Sequence, residues 1–208
     1  MSSEPMYHAG MRQLQDARDT RAIADRLEQV TVRTAFTDDD RSFIEGCAMF
    51  FVATADAQGQ PDCSYKGGLP GFVRVVDDRT LAFPDYDGNG MYRSWGNLLV
   101  NPQVGLLFVD FERQRRMRVN GSARIEADDP LRATYPGSVF IVRVSAERIF
   151  PNCPRYLHRM QLIEHSVYAP RADHAPPVPA WKTFEVFRDA LPARDRPAAS
   201  EGPDTAES

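Results

Sequence analysis

Between residues 48 and 144 the chain sets down short β-prone runs, each cut off within a few residues by Gly, Pro, Asn or Asp. Ala48-Met-Phe-Phe-Val-Ala-Thr-Ala55 stops at Asp56-Ala-Gln-Gly-Gln60. Cys63-Ser-Tyr-Lys66, Phe72-Val-Arg-Val-Val76 and Thr80-Leu-Ala-Phe83 follow, separated by Gly67-Gly68, Pro70-Gly71 and Asp77-Asp78. Strands at such close spacing join mostly by hairpins, which makes the sheet antiparallel. One helix, expected over residues 90–99, interrupts the series before the runs Val104–Val109, Arg116–Gly121 and Val139–Val144. Val104-Gly-Leu-Leu-Phe-Val109 is continuously apolar and is expected to be buried on both faces. Arg116-Met-Arg-Val-Asn-Gly121 alternates, sending Arg116, Arg118 and Asn120 one way and Met117 and Val119 the other. The pattern specifies a mainly β, α+β chain: a small antiparallel barrel of six or seven strands with flanking helices.

Residues 11 to about 30 place Ile23, Leu27 and Val30 at helical spacing and read as one helix. Thr37-Asp-Asp-Asp40 is the capped start of a second, short one through Phe43-Ile44, because acidic groups suit a helix N-terminus. Beyond Pro170 the sequence turns Pro-rich, offers Trp181, Phe184 and Phe187 as an aromatic anchor, and from Ala190 is dominated by residues that favour disorder. The expected organisation is a helical extension over 1–36, a barrel domain over 37–169 and a C-terminal segment over 170–208 with a disordered tail.

Composition narrows the function. A net charge of −4 lacks the basic excess of a nucleic-acid protein. No apolar run has the length of a membrane span. Met1-Ser-Ser-Glu-Pro-Met6 does not lead from basic residues into an apolar stretch, and the 3 cysteines are too few for a disulfide scaffold, so the expected location is cytoplasmic. Hydrolytic signatures are missing: no Gly-x-Ser-x-Gly, no His-Glu-x-x-His, no Walker loop. The 4 histidines, His8, His158, His165 and His174, avoid the β runs, which removes the usual general base and argues against a metal site there.

Two stretches suggest an anion cradle, each with a plainer alternative. Ser64-Tyr-Lys-Gly-Gly-Leu-Pro-Gly-Phe72 ends a strand in a hydroxyl and a lysine and continues through Gly67 and two further glycines. Glycine lets backbone N–H groups approach an anion, but the loop also reads as simple backbone geometry. Phe83-Pro-Asp-Tyr-Asp-Gly-Asn-Gly-Met-Tyr-Arg-Ser-Trp-Gly-Asn-Leu98 carries Gly88-Asn89-Gly90 at a helix start. It puts Arg93, Ser94 and Asn97 on one side and Met91, Trp95 and Leu98 on a core side. It is either a tight bend before a solvated helix face or half of a phosphate site. Gln114–Gly121 concentrates Arg116 and Arg118 in a charge run that reads first as a solvated strand face, and Ile149-Phe-Pro-Asn-Cys-Pro-Arg-Tyr156 adds Arg155 and Tyr156, planar groups suited to a flat ring. Phe50, Phe51, Phe72, Trp95 and the 181–187 anchor exceed what one small barrel readily covers, which points to a subunit interface.

Together, Cys63–Val73, Thr80-Leu-Ala-Phe-Pro-Asp85, Gly88-Asn89, Asn97-Leu-Leu-Val-Asn-Pro102, Val104–Phe108, Arg118-Val-Asn-Gly121 and Phe150–Tyr156 resemble the pyridoxamine 5′-phosphate oxidase-like, FMN-binding split-barrel family. The match covers about residues 37–160 and is nearest to its oxidase-related branch. The resemblance implies a homodimer of split barrels with FMN in the groove between subunits. Carried over by position, Ser64, Tyr65 and Lys66 meet the flavin or its phosphate, Phe83 and Pro84 lie beside the ring system, and Asn89 with the helix start holds the phosphate. The family often has basic residues after Gly-Asn, where this chain has Gly90-Met91, so Lys66 and Arg93 would carry the charge. The substrate-binding Arg and His of the vitamin B6 enzyme have no match, which turns the expectation away from pyridoxamine phosphate.

The resulting expectation is an FMN-dependent oxidoreductase passing hydride between flavin and a small substrate, since a flavin carries its own redox chemistry. A flavin carrier or sensor without turnover, and a deazaflavin- or heme-binding relative, are the alternatives.

Overall fold

The computed structural model describes residues 5–196. Contacts divide them into two compact units, the first ending at His174 and the second beginning at Ala175. Most of the tail expected to be disordered lies at 197–208, outside the described residues.

The first unit is built on one seven-stranded antiparallel sheet: β1 (Met49–Ala55), β2 (Pro61–Gly67), β3 (Arg74–Val75), β4 (Thr80–Tyr86), β5 (Gln103–Asp110), β6 (Arg115–Glu126) and β7 (Ser138–Pro151). Their order across the sheet is β2-β1-β5-β6-β7-β4-β3. The helices are α1 (Ala9–Ala17), α2 (Arg21–Thr31), α3 (Asp38–Gly46) and α4 (Arg93–Val100). This is the α+β split barrel. Among the described residues no helix is long and apolar enough to cross a membrane.

The two-residue period of each strand sorts side chains by face. In β1, Phe50 and Val52 turn inward and Phe51 and Ala53 outward. Met117 and Val119 of β6 are buried while Arg116 and Arg118 are not. The centre of the core is aromatic: the Phe50 ring lies 4.9 Å from Phe83, edge to face, and 5.1 Å from Phe108. Asp56 Oδ1 closes the β1–β2 hairpin by accepting from the Gln58 and Gln60 amides, both at 2.9 Å. Thr37 and Asp40 form a reciprocal capping box at the start of α3.

Several expectations need correction. The helix expected over 11–30 is two helices, α1 and α2, broken where Asp19 takes φ 53°, and Ile23, Leu27 and Val30 of α2 are exposed. The run 72–76 yields only the two-residue β3, because Phe72 and Val73 leave the sheet edge for the core after Gly71 at φ 88°. The β5 strand is not buried on both faces: Val104, Leu106 and Phe108 are buried while Gly105 and Leu107 are half-buried, the alternation of an antiparallel sheet packed on one side. Phe50, Phe72 and Trp95, counted as interface candidates, are core residues of one chain at 0, 4 and 5% exposure. The barrel itself absorbs that surplus of aromatic surface.

In the second unit, Trp181 and Phe187 pack edge to face at 6.0 Å, and Lys182 pairs with Asp195 at 3.0 Å. Phe184 is mostly exposed.

The β6–β7 pairing shifts register at Asn120/Gly121, and a Cβ on Gly121 would sit 2.0 Å from the Ser145 carbonyl oxygen. Backbone cannot yield as a side chain can, so Gly121→Ala should destabilise by about 3 kcal/mol or more, the upper range for overpacking. Gly46→Ala, where nothing lies within 4 Å, is the control and should be neutral or slightly stabilising, as Ala for Gly in a helix is. Urea unfolding midpoints measure both. Equal midpoints for the two variants would contradict the register.

Candidate functional site

The pleat of β2 puts Asp62, Ser64 and Lys66 on one face and Cys63 and Tyr65 on the other. β4 ends in Asp85 and Tyr86, a loop runs through Gly88-Asn89-Gly90, and α4 returns over β1 and β2. These segments enclose a cavity of about 220 Å³ lined from β2, the end of β4, the loop and the first turn of α4. The loop turns twice through positive φ, at Gly90 (75°) and Tyr92 (49°), and the Met91 amide donates to Asn89 Oδ1 at 3.0 Å. The helix consequently starts at Arg93 and not at Gly90, and no side chain caps it. Its first-turn N–H groups have no partner within the helix, which makes that end electropositive.

Trp95 ties the site to the core. Its ring lies 6.0 Å from Phe83, its indole N–H donates to Asp85 Oδ1 at 2.6 Å, and the Lys66 ammonium sits 4.3 Å above its ring centroid. Burial lowers the Lys66 pKa, opposed by Asp85 and then Asp62. Burial also raises the Asp85 pKa, against the Trp95 hydrogen bond and the Lys66 charge. Asp62 goes the other way: it accepts from Arg93 Nε at 3.0 Å and Ser94 Oγ at 2.9 Å, and these two bonds, Arg93 first, hold its pKa low. Burial pushes the Tyr86 hydroxyl to about 12, so it remains a donor. The cavity thus holds two cations and two carboxyl groups.

Of the residues singled out in the sequence, Ser64, Lys66, Asn89, Gly90, Met91, Arg93 and Ser94 meet in this cavity. The others do not. Tyr65 is 60% exposed on the opposite face of β2, where its ring meets Phe51. Gly67 leaves room for the Tyr65 ring, and Gly68 for Phe72, whose Cγ a Cβ would approach to 2.5 Å. The amides of Gly68 and Gly71 donate to Ala48 and Glu45 carbonyls, so this glycine loop serves packing and holds no free anion donors at those positions. Phe83 and Pro84 are buried in the barrel and do not line this cavity. Asn97 turns to β1, donating to Thr54 Oγ1 at 3.0 Å, and Met91 is 64% exposed and outside the helix, not on its core side. Arg116 and Arg118 donate to the Cys153 carbonyl and Asn152 Oδ1, both at 2.6 Å, and with exposed Arg155 and Tyr156 they lie away from the cavity within one chain.

Sequence reasoning missed Asp62, Asp85 and Tyr86. The signal for Asp62 was available, since period-two alternation aligns it with Ser64 and Lys66. Asp85 was a lone carboxylate ending an apolar run, with nothing local to indicate its Trp95 partner.

The opposed carboxyl environments have a measurable consequence. Asp62 contributes stability in full above its unfolded pKa of about 4, and that contribution is lost as pH falls through its lower folded value. The cost of ionised Asp85 is present in full above its raised folded value and is relieved as pH falls through it. In a carboxyl-carbon NMR titration Asp62 should titrate below, and Asp85 above, the ordinary aspartate value, and Lys66→Met should raise Asp85 further. Coincident titration of the two would contradict the geometry.

Comparison with protein families matches residues 36–164 to the model described as pyridoxamine 5′-phosphate oxidase. Comparison with curated proteins returns no match. Solved structures similar to the chain include HupZ of Group A Streptococcus, at 26% identity over 56% of this chain and 93% of that one, with a TM-score of 0.45. An FMN-binding protein from Syntrophomonas wolfei is 14% identical over 68% of this chain and 97% of that one, with a TM-score of 0.42. The heme storage protein HutZ from Vibrio cholerae is 20% identical over 54% and 91%, with a TM-score of 0.41. With its family match spanning more than half of the 208 residues, and its strands in a split antiparallel barrel, the chain belongs to the pyridoxamine 5′-phosphate oxidase family.

Proposed function

We propose that the protein is an FMN-binding oxidoreductase acting on a small substrate, and that it works as a homodimer. The observation that carries this reading is the convergence of Lys66, Arg93, Ser94 and the first turn of α4 on one cavity at the end of the barrel. That donor set suits a phosphate: one mobile ammonium, one planar guanidinium, a hydroxyl, and amides at a helix N-terminus. The cavity volume of about 220 Å³ is small for a whole flavin nucleotide, so the ring system would extend out of it along the barrel surface. Lys66 and Arg93 would neutralise the phosphate, Ser94 and the 89–91 loop would orient it, and Ser64 would face the ribityl side. Bound flavin would supply the two-electron chemistry, so the protein need not provide an acid–base pair. In this reading Arg116, Arg118, Arg155 and Tyr156 reach the flavin from the second copy of the chain.

A second reading, heme binding, has one observation in its favour. A cavity of about 530 Å³ beside α3 and the β5–β6 turn is lined by His165 together with Phe43, Met49, Phe111 and Leu162. An imidazole beside an apolar space is what an axial ligand requires. The same cavity is also lined by Asp39, Asp110, Glu112, Arg113 and Arg115, with Arg115 paired to Asp39 at 2.8 Å, a charged lining that suits a heme face less than an apolar slot would.

Losing one charge-assisted hydrogen bond to a partly buried phosphate costs about 1.5–3 kcal/mol, roughly ten- to a hundredfold in affinity. Lys66→Ala and Arg93→Ala should each weaken FMN by about that factor. Arg93→Ala should have the larger effect, because it also leaves Asp62 facing the phosphate without its partner. Riboflavin, which has no phosphate, should be affected far less by either change. Flavin fluorescence titration gives both constants, and light scattering of the FMN-loaded parent should report a dimer. Unchanged FMN affinity in both variants, or equal losses for riboflavin, would remove the phosphate assignment.

A further inference from the structure

Asp62 is the feature the flavin reading does not explain. A carboxylate is the wrong charge for a phosphate pocket, yet here it is mostly covered and engages two of the groups best placed to bind one. Arg93 gives it Nε at 3.0 Å and Ser94 gives it the hydroxyl proton at 2.9 Å. The Asp62 side chain is 15% exposed and that of Arg93 63%, so the acid forms the fixed base of the pair and the guanidinium reaches outward. Lys66, two pleats along the same strand face, is close enough to Asp62 for the carboxylate to act on its titration.

We propose that Asp62 is a specificity-determining residue that stands in for the phosphate when the pocket is empty and sets how tightly a phosphate dianion is held. The inference rests on the phosphate reading of this cavity and adds to it a built-in competitor. The Arg93–Asp62 hydrogen bond uses Nε, which leaves the two Nη groups for a ligand. A phosphate reaching them must approach a carboxylate that is ionised at neutral pH, and like charges within a few ångströms oppose one another. Ser94 must likewise divide its single proton between Asp62 and the ligand. The acid therefore keeps the donors in position and weakens their hold, giving a pocket that releases its phosphate end more readily than the cations alone would.

Asp62→Asn separates these two roles. The amide oxygen still accepts from Ser94 or Arg93, while the negative charge is gone. In fluorescence titrations of the full chain, Asp62→Asn should bind FMN about tenfold more tightly than the parent and riboflavin within about twofold of it. Asp62→Ser, which removes the charge with a smaller side chain, should also tighten FMN and guards against a folding defect in the first variant. Thermal unfolding without ligand checks that both are folded. If the parent binds FMN and the folded variants bind it equally or more weakly, the competitor role is wrong and the phosphate reading stands. If riboflavin tightens as much as FMN, Asp62 acts on the ring and the inference fails. If the parent and both variants all fail to bind FMN, the phosphate reading falls and takes this inference with it.

Discussion

The contact between Trp95 and the barrel joins the fold to its site. One face of the indole packs toward Phe83 and the aromatic core, its edge meets Phe140 at 6.1 Å, its N–H reaches Asp85, and Lys66 lies over its ring. A large apolar body with one polar tip is what such a position needs, since it fills the core and still satisfies a buried carboxyl. With Leu98 in the core, Asn97 on Thr54 of β1, and Arg93 and Ser94 on Asp62 of β2, Trp95 fixes the angle of α4 over the sheet. The positions of Arg93 and Ser94 in the cavity follow from that anchorage, while Ser64 and Lys66 are placed by β2.

Charge balance gives the site its second property. Lys66 and Arg93 face Asp62 and Asp85 inside one small cavity, so the groups are matched before any ligand arrives. Lys66 is half-buried and Arg93 largely exposed, so the carboxyl groups beside them offset a partial loss of water. The two carboxyl groups are not equivalent. Asp62 is held ionised by hydrogen bonds from Arg93 and Ser94, while Asp85 is pushed toward its neutral form by burial. Divergent carboxyl environments within one pocket are a common mark of functional sites.

Much of the barrel was legible because its signals are local. The apolar β-prone run at 48–55, the alternation in 116–121, the Thr37–Asp40 cap and the Asp56 turn each depend on neighbours within a few residues. Several readings that failed depended on contacts distant in sequence. Gly67 and Gly68 read either as anion-binding glycines or as backbone geometry, and they make room for Tyr65 and Phe72. Phe50 read as spare surface, but it meets Phe83 across the barrel. Asn97 read as a ligand-facing donor, but its partner is Thr54, 43 positions earlier. Lys66, Asn89, Arg93 and Ser94 stood out because charge and glycine are visible in the sequence, and they line one cavity. Of the carboxylates opposite them, Asp62 could have been aligned with Ser64 and Lys66 by the strand period, while Asp85 meets its partners Trp95 and Lys66 only in the folded chain.

The central claim is that this cavity and the surface beside it hold FMN. Mass spectrometry of the small molecules released on denaturing the purified protein, with the visible spectrum recorded beforehand, tests it most directly. The account predicts a yellow protein, or a colourless one that turns yellow with added FMN, releasing FMN and neither FAD nor heme. A protein that stays colourless with excess FMN, or that carries heme in its place, would contradict it.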